Sequence, residues 1–187
     1  MAAGTTPMTA EEFFALPDDG VERWLLQGEL REKPMTKRNR FHSHTMANLS
    51  FFLTAWNRTQ PQPRGRVYAG DVGCTLGSDP LSVFGIDVAY LTAEQVAKQP
   101  TDGSMLEGPP TLAIEILSPS NTIEDVEEKT RVYRSTGVQL VWIVNPYSKF
   151  VIAYRPEGMP ELYHLENDLL GNGVLPGFRT PVADLFA

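Results

Sequence analysis

Cysteine is almost absent from this sequence, in which Cys74 stands alone among 187 residues. A single cysteine forms neither an internal disulfide framework nor a thiolate metal cluster. Long apolar runs are lacking too, since no stretch approaches the roughly 18 consecutive apolar residues of a membrane-spanning helix. The first residues, MAAGTTP, have neither the basic nor the apolar region of a signal peptide. These absences predict a cytoplasmic protein that does not cross a membrane.

Positive charge is scarce overall, because the formal net charge is −7. The window 31–66 is an exception, with a net charge of +7 that leaves −14 for the rest of the chain. Because salt screens charges beyond about 10 Å, a local basic surface on an acidic protein can still bind phosphates. A solvated loop and helix face explains the same charges equally well. The residues expected to contact nucleic acid are Lys37, Arg38, Arg40, Arg58, Arg64 and Arg66.

The pattern of apolar residues predicts a mixed α/β fold, with a central sheet flanked by helices. Apolar side chains between positions 41 and 58 recur at spacings of three and four, which is typical of a helix. Two β segments are predicted at about 66–76 and 83–91. The runs TLAIEILSP and LVWIV predict strands buried on both faces. A helix between them, capped by Thr122 or Asn121 and running to about Ser135, makes the pair parallel. Residues 1–7 are expected to be a disordered tail, and 8–187 a single domain.

Two acidic residues stand inside apolar strand segments, where an ionised carboxylate is costly unless it is paired. Glu115 lies in LAIEIL and Asp87 in FGIDVAY. If both converge at one end of the sheet, a divalent cation would relieve their repulsion, and oxygen ligands favour Mg²⁺ or Mn²⁺ over zinc. For Glu115, an ion pair with an arginine or a strand end that reaches water is the alternative.

Lys129 belongs to the helix that follows Glu115. At 100° per residue it borders the face that packs inward, so its ammonium group could lie against the two carboxylates. There it would stabilise the charge that develops on a phosphate. Helix geometry alone slightly favours the alternative, a lysine that extends to the surface or pairs with Asp125 one turn earlier.

Histidines and serines near these segments receive simpler interpretations. His42 and His44 are both candidates for a metal ligand or a nucleophile. His42 falls on the apolar stripe of the first long helix, which favours a hydrogen-bonded histidine at the edge of the core. The tract Ser118-Pro119-Ser120-Asn121 lacks the surroundings of a serine nucleophile and predicts a turn with a helix cap. Tyr133 and Trp142 are expected in the core.

The segments IDVAYL, PPTLAIEILSPSN and EEKTRVYRSTGVQLVWIVNP, in this order, resemble the Uma-type family of restriction endonuclease-like proteins, within the PD-(D/E)XK nuclease superfamily. The N-terminal MTAEEFFALP, the GEL at 28–30 and the C-terminal LPGF also match, so the resemblance covers nearly the whole chain. It implies a restriction endonuclease-like core, a Mg²⁺ cofactor that Mn²⁺ can replace, a DNA substrate and a homodimer.

The resemblance also implies site residues. Asp87 and Glu115 would be the two acids, the backbone carbonyl of Ile116 a further metal ligand, and Glu29 an additional acid near the metal. Two positions depart from the superfamily pattern, because Ile86 replaces the proline and Leu117 replaces the lysine that follows the second acid. The lysine of this family resembles a migrated one, supplied by the next helix, and Lys129 is the matching position.

Three functions follow from these observations. The first is a metal-dependent endonuclease that cleaves DNA phosphodiester bonds with a metal-activated water. The second is a catalytically weak or inert DNA-binding or assembly module on the same fold. The third is a hydrolase of another phosphorylated substrate, which the acidic net charge of −7 keeps open.

Overall fold

The computed structural model describes residues 7–17, 19–34, 39–78, 80–119 and 121–187. The expected tail lies outside these ranges except for Pro7, and so do Lys37 and Arg38. The helices are α1 (Ala10–Phe14), α2 (Arg40–Thr59), α3 (Ala93–Ala97) and α4 (Ile123–Thr136), with a 3₁₀ helix at Val182–Leu185. The strands are β1 (Val21–Leu26), β2 (Glu29–Pro34), β3 (Arg66–Leu76), β4 (Ser82–Leu91), β5 (Leu106–Glu107), β6 (Leu112–Ile116), β7 (Leu140–Asn145), β8 (Phe150–Tyr154), β9 (Glu161–Tyr163), β10 (Asp168–Leu170) and β11 (Arg179–Pro181).

Most strands form one mixed sheet, in the order β2-β1-β4-β6-β7-β8-β9, with β3 paired to β4 and β5 paired to β3. The strands β10 and β11 form a separate antiparallel pair. Apolar residues of α2 and α4 pack on two different clusters of the sheet, which places a helix against each face. The mixed α/β fold predicted from the sequence is confirmed. Among the described residues, no helix is long and apolar enough to cross a membrane.

The segment β6–α4–β7 folds as its sequence predicts. The strands β6 and β7 are parallel neighbours, with Glu115 opposite Ile143. Helix α4 begins at a capping box in which the Thr122 hydroxyl accepts from Asp125 N–H and the Asp125 carboxylate accepts from Thr122 N–H. It ends at Gly137, whose φ of 103° is a conformation that glycine adopts without strain. This arrangement brings the start of α4 to the carboxyl end of β6.

On one edge of strand β4, the neighbouring strand changes from β1 to β6, and Asp87 lies where this change occurs. One edge of β4 pairs with β3 along most of its length. The other edge pairs first with β1 at Val83 and then with β6 from Val88 onward. Ile86 belongs to the apolar cluster beneath α4 and Val88 to the cluster beneath α2. Alternate residues of a regular strand share a face, so the strand is locally twisted at Asp87.

A bulge in β3 lies opposite this point. Ala69 pairs with Val88 and Val72 with Ile86, so β3 has one residue more than β4 in the interval. Within the bulge, Gly70 has a φ of 105° and Asp71 a φ of 66°. A positive φ is unusual for a residue other than glycine, although aspartate tolerates it better than most. The bulge turns the Asp71 side chain toward Gly85 of β4.

Candidate active site

Asp87 is held at the junction of β1, β4 and β6 by a backbone and a side-chain group. Its Oδ2 atom accepts a hydrogen bond of 2.8 Å from the Ile116 N–H. The same oxygen lies 3.2 Å from Nε2 of His42, which comes from the first turn of α2. Asp87 and His42 are both buried. The Asp87 carboxylate thus accepts the hydrogen bond that a neighbouring strand would otherwise accept from the Ile116 N–H. This carboxylate is therefore fixed at the carboxyl end of β6.

Glu115 is the neighbouring acid, and two residues of α4 hydrogen-bond to it. The Lys129 ammonium donates to Glu115 Oε2 at 3.0 Å, and the Tyr133 hydroxyl donates to Oε1 at 2.5 Å. The side chains of Glu115 and Lys129 are 14% and 23% exposed, so water still reaches the pair. Residues 129 and 133 are one helical turn apart, which places both on the face of α4 that covers β6.

Electrostatic interactions at the site favour a charged lysine. Burial raises the pKa of Glu115 above its ordinary value, and Asp87 raises it further while Lys129 opposes the shift. Burial alone would lower the pKa of Lys129, but the carboxylates of Glu115, Asp87 and Asp71 outweigh it, and this pKa is raised. Burial and the neighbouring Glu115 raise the pKa of the Tyr133 hydroxyl well above its ordinary value. Lys129 is thus an ammonium donor and Tyr133 a neutral hydroxyl donor at neutral pH.

The donor set fits magnesium better than zinc. Among the described residues, no group of three or more His, Cys, Asp or Glu side chains could hold a metal ion. Zinc sites need three or four such side chains, whereas Mg²⁺ is commonly held by one or two carboxylates and several waters. Each oxygen of Glu115 accepts one hydrogen bond and keeps a further lone pair. The carboxylates of Asp87 and Glu115 are hard oxygen donors, the kind that Mg²⁺ and Mn²⁺ prefer.

A small cavity of about 10 Å³ lies beside Glu115, Ile116 and Leu117 and is closed by Asn121, Asp125, Val126 and Lys129 of the α4 segment. This is about the volume that one water-sized group needs. Leu117, which takes the place of the motif lysine, contributes an apolar wall here. The cavity is next to a larger cleft, because Asn121, Asp125 and Lys129 line both.

Lys129 makes the contact that the family resemblance implies, rather than the surface pair that helix geometry slightly favoured. Asp125 is engaged in the capping box with Thr122, and the Lys129 side chain extends the other way to Glu115. Asp87 and Ile116 also meet, through the hydrogen bond described above. The structure thus brings the three expected catalytic residues and Ile116 to one end of the sheet.

The other expected site residues are not among the groups that hydrogen-bond to Asp87 or Glu115 above. Glu29 begins β2, where it is exposed and forms an ion pair of 3.0 Å with Arg31. It lines a surface hollow with Glu128 and Arg131. The described basic residues divide between the two ends of α2, and all of them are exposed. Arg40 is its first residue, whereas Arg58 lies in its last turn, Arg64 in the loop that follows and Arg66 at the start of β3. Their contact with nucleic acid stays a prediction.

Three residues near the centre have contacts with the site that the sequence did not predict. His42 was expected at the edge of the core with a hydrogen bond; it is buried, and its Nε2 lies 3.2 Å from Oδ2 of the site residue Asp87. Tyr133 was expected in the core, and its hydroxyl in addition reaches Glu115. The sequence did not indicate Asp71 as a site residue. Its segment, AGDVG, has no run of apolar residues around the acid, and residues 69–71 are exposed. Only the spacing of four between Lys129 and Tyr133 could have linked the tyrosine to the lysine.

Comparison with known proteins gives a family and a structural relative. A family model described as "Putative restriction endonuclease", named Uma2, matches residues 10–183. A crystal structure from Anabaena variabilis ATCC 29413, described as "a putative nuclease belonging to DUF820", is similar with a TM-score of 0.79 and 22% identity, over 96% of this chain and 98% of that chain. At this identity the likeness shows a shared fold. Among curated proteins, none matches the chain. The family match covers nearly all of the sequence, and the chain belongs to the Uma2 family of restriction endonuclease-like proteins.

Proposed function

We propose that this protein is a metal-dependent endonuclease that hydrolyses DNA phosphodiester bonds, with Asp87, Glu115 and Lys129 as its catalytic residues. The observation that carries the proposal is the ion pair of Lys129 with Glu115, 3.0 Å long, beside the buried Asp87. Asp87, Glu115 and the Ile116 carbonyl would hold the Mg²⁺. When bound, the ion supplies a Lewis acid for the phosphate and lowers the pKa of a coordinated water.

The residues of the chain perform three tasks around this ion. Asp87 is fixed by the Ile116 N–H and by His42, so its carboxylate needs little rearrangement before the reaction. Tyr133 donates to Oε1 of Glu115 and sets the orientation of that carboxylate. The Lys129 ammonium borders the cleft and the small cavity, where it can donate to a non-bridging oxygen of the scissile phosphate. The negative charge that develops there is stabilised in a partly desolvated place.

Removal of the Lys129 ammonium tests the proposal. We expect Lys129→Ala to lower Mg²⁺-dependent cleavage of supercoiled plasmid or single-stranded oligonucleotides by about two to three orders of magnitude, the usual effect of one charge-stabilising group. Its melting temperature without metal should fall, because Glu115 loses its cation and keeps Asp87 as a neighbour. Added Mn²⁺ should bind, as measured by calorimetry, and restore the melting temperature.

The matched control is Lys98→Ala, which changes an exposed lysine at the C-cap of α3 that pairs with Glu94. It should cleave like the unchanged protein, and EDTA should stop both. Equal cleavage by Lys129→Ala would remove the lysine from the mechanism. Absence of cleavage by the unchanged protein with Mg²⁺ and with Mn²⁺ would favour the inert module or the hydrolase of another phosphorylated substrate.

We also propose that the active form is a homodimer. One such site cleaves one strand, and a symmetric pair would place two sites on one duplex. Light scattering at high micromolar concentration should give twice the mass of the 20.8 kDa chain. A monomer under these conditions would contradict the proposal and leave nicking or single-strand cleavage as the reaction.

A further inference from the structure

A cleft of about 260 Å³ opens beside the proposed catalytic centre. Trp24 of β1 and Phe84 of β4 line it together with Met105, and Lys33 of β2 and Asp71 of the bulge lie at its sides. Lys129 belongs to the wall that this cleft shares with the small cavity next to Glu115. A group in the cleft would therefore be adjacent to a phosphate at Lys129.

The lining of the cleft does not resemble a phosphate site. Its cations, Arg23, Lys33 and Lys129, are matched in number by carboxylates, those of Asp71, Asp125 and Glu128. Arg23 is moreover bound to Asp19 and Glu32, which satisfies its guanidinium group. Asp125 also caps α4 and Glu128 lies 3.9 Å from Arg31, but a carboxylate has about four acceptor positions. Aromatic and apolar surface combined with such acceptors suits a planar ring that carries N–H donors.

The size of the cleft points to a small ring. Its volume is just below the range of about 300–1,000 Å³ that holds drug-sized ligands. Trp24 is half-buried, and the Lys33 ammonium lies 5.3 Å from the centre of its ring, a cation–π contact. A base that stacks on this ring would take the position of the ammonium, which could then reach the nearby backbone phosphate.

We propose that this cleft binds one nucleobase, unstacked from its neighbours, of the nucleotide beside the scissile phosphate, and that Trp24 is its stacking surface. This inference rests on the proposed function, because it deepens the substrate class of the same site. A base leaves its stack most readily in a single strand or at a mismatch. The preferred substrate is therefore single-stranded or locally unpaired DNA, and intact duplex is cleaved more slowly.

The first experiment uses the unchanged protein in EDTA, so that binding is measured without cleavage. A fluorescein-labelled tetradeoxyadenylate is compared by anisotropy with its four versions that each lack one base. Loss of the base that occupies the cleft should raise Kd by about 5- to 150-fold, the usual effect of one base–aromatic stack. The other three versions should bind like the complete oligonucleotide. Equal binding of all five would overturn the inference.

The second experiment changes the stacking surface. Trp24→Ala should lose the sensitivity to that one missing base and bind every version weakly, whereas Trp24→Phe should keep most of the affinity because it retains an aromatic face. The control is Phe51→Ala, an exposed aromatic residue of α2 outside the cleft, which should bind as the unchanged protein does. If Trp24→Phe and Trp24→Ala both retain full affinity, Trp24 is not the stacking surface.

The two experiments separate the inference from the proposed function. If Mg²⁺ supports no cleavage but the missing-base effect depends on Trp24, the base site stands and the nuclease proposal falls. If cleavage depends on Lys129 but neither the missing base nor Trp24 matters, the nuclease proposal stands and the base site falls. Cleavage of intact duplex faster than of the single strand would also contradict the base site.

Discussion

The two acids at the end of β6 differ in the groups that stabilise their charge. Asp87 accepts from the Ile116 N–H and contacts His42, while Glu115 depends on Lys129 and Tyr133. Burial and the charge of Asp87 both raise the pKa of Glu115. Ionising both acids therefore loses part of the folding free energy, and Lys129 offsets this loss in part.

Asp87→Asn should make this loss visible as a pH dependence. The folded protein holds the Glu115 proton more tightly than the unfolded chain, so stability falls as the pH rises from about 4.3 through the raised pKa. Without the Asp87 charge the fall should be smaller. In urea unfolding without metal, Asp87→Asn should be more stable than the unchanged protein at pH 7, by on the order of 1 kcal/mol, and similar to it at pH 4.

The asparagine oxygen can still accept from the Ile116 N–H, so the local backbone should be preserved. Asp102→Asn, an exposed change in the loop after α3, should show no pH-dependent difference. The measured quantity is the stability of Asp87→Asn minus that of the unchanged protein. If this difference is smaller at pH 7 than at pH 4, the two carboxylates do not repel each other as proposed.

At the residue scale, the sequence predicted the two acids because each interrupts an apolar strand, where an ionised group needs a partner. It could not decide between two positions for Lys129, since helix angles leave a long side chain free to reach Asp125 or the sheet. In the structure the ammonium donates to Glu115, while Asp125 caps α4 through Thr122. Tyr133 was placed correctly in the core, but burial alone did not reveal the hydrogen bond from its hydroxyl to Glu115.

At the scale of the elements, the bulge in β3 and the change of neighbours along β4 position the site. Gly85 faces the Asp71 carboxylate, and a Cβ built at Gly85 would lie 2.8 Å from Asp71 Cγ. Glycine at position 85 thus makes room for a carboxylate that acts electrostatically on Lys129. The strained φ of 66° at Asp71 is maintained by the pairing on both sides of the bulge.

A double-mutant cycle between Gly85 and Asp71 tests this arrangement. Gly85→Ala should destabilise the protein, because the new methyl group meets the carboxylate. Asp71→Gly removes the carboxylate and relieves the positive φ, so the added methyl group should cost less in that background. We expect a coupling free energy of about 0.5–3 kcal/mol from urea unfolding. Gly85→Ala combined with Asp102→Gly should be additive, and additivity with Asp71→Gly would contradict the close approach of Gly85 and Asp71.

The strands and helices themselves were largely predictable, because their apolar periodicity and caps are local signals. The helix expected at 41–58 is α2, Arg40–Thr59, and the strands expected at 66–76 and 83–91 are β3 and β4. The bulge in β3 was not predictable, and neither was the change of the strand next to β4 from β1 to β6. Pairing register depends on contacts between residues that are distant in sequence. Asp71 therefore reached the site without a sequence signal.

At the scale of the whole molecule, positive charge lies at both ends of α2. His42, near the start of the helix, contacts Asp87, so this end belongs to the proposed site. Arg58 is 16 residues farther along the helix, which is about 24 Å at 1.5 Å per residue. Arg64 follows in the next loop and donates to the Gln60 carbonyl at 2.7 Å. Since duplex DNA rises about 3.4 Å per base pair, this span corresponds to about seven base pairs.

The separation predicts that the two ends of α2 contribute differently to short and long DNA. Arg58→Glu with Arg64→Glu should weaken binding of a duplex of about 14 base pairs and reduce its salt slope by about 2, because two phosphates are no longer neutralised by arginine. The same pair should leave binding of a hairpin with about five base pairs unchanged, because that DNA ends before reaching them. Arg40→Glu, at the end of α2 near Asp87, should weaken binding of both DNAs, and the exposed control Lys98→Glu should weaken neither.

These affinities are measured in EDTA by anisotropy at several salt concentrations. If the short hairpin loses as much affinity as the long duplex when Arg58 and Arg64 are reversed, the DNA does not run along α2 away from the site.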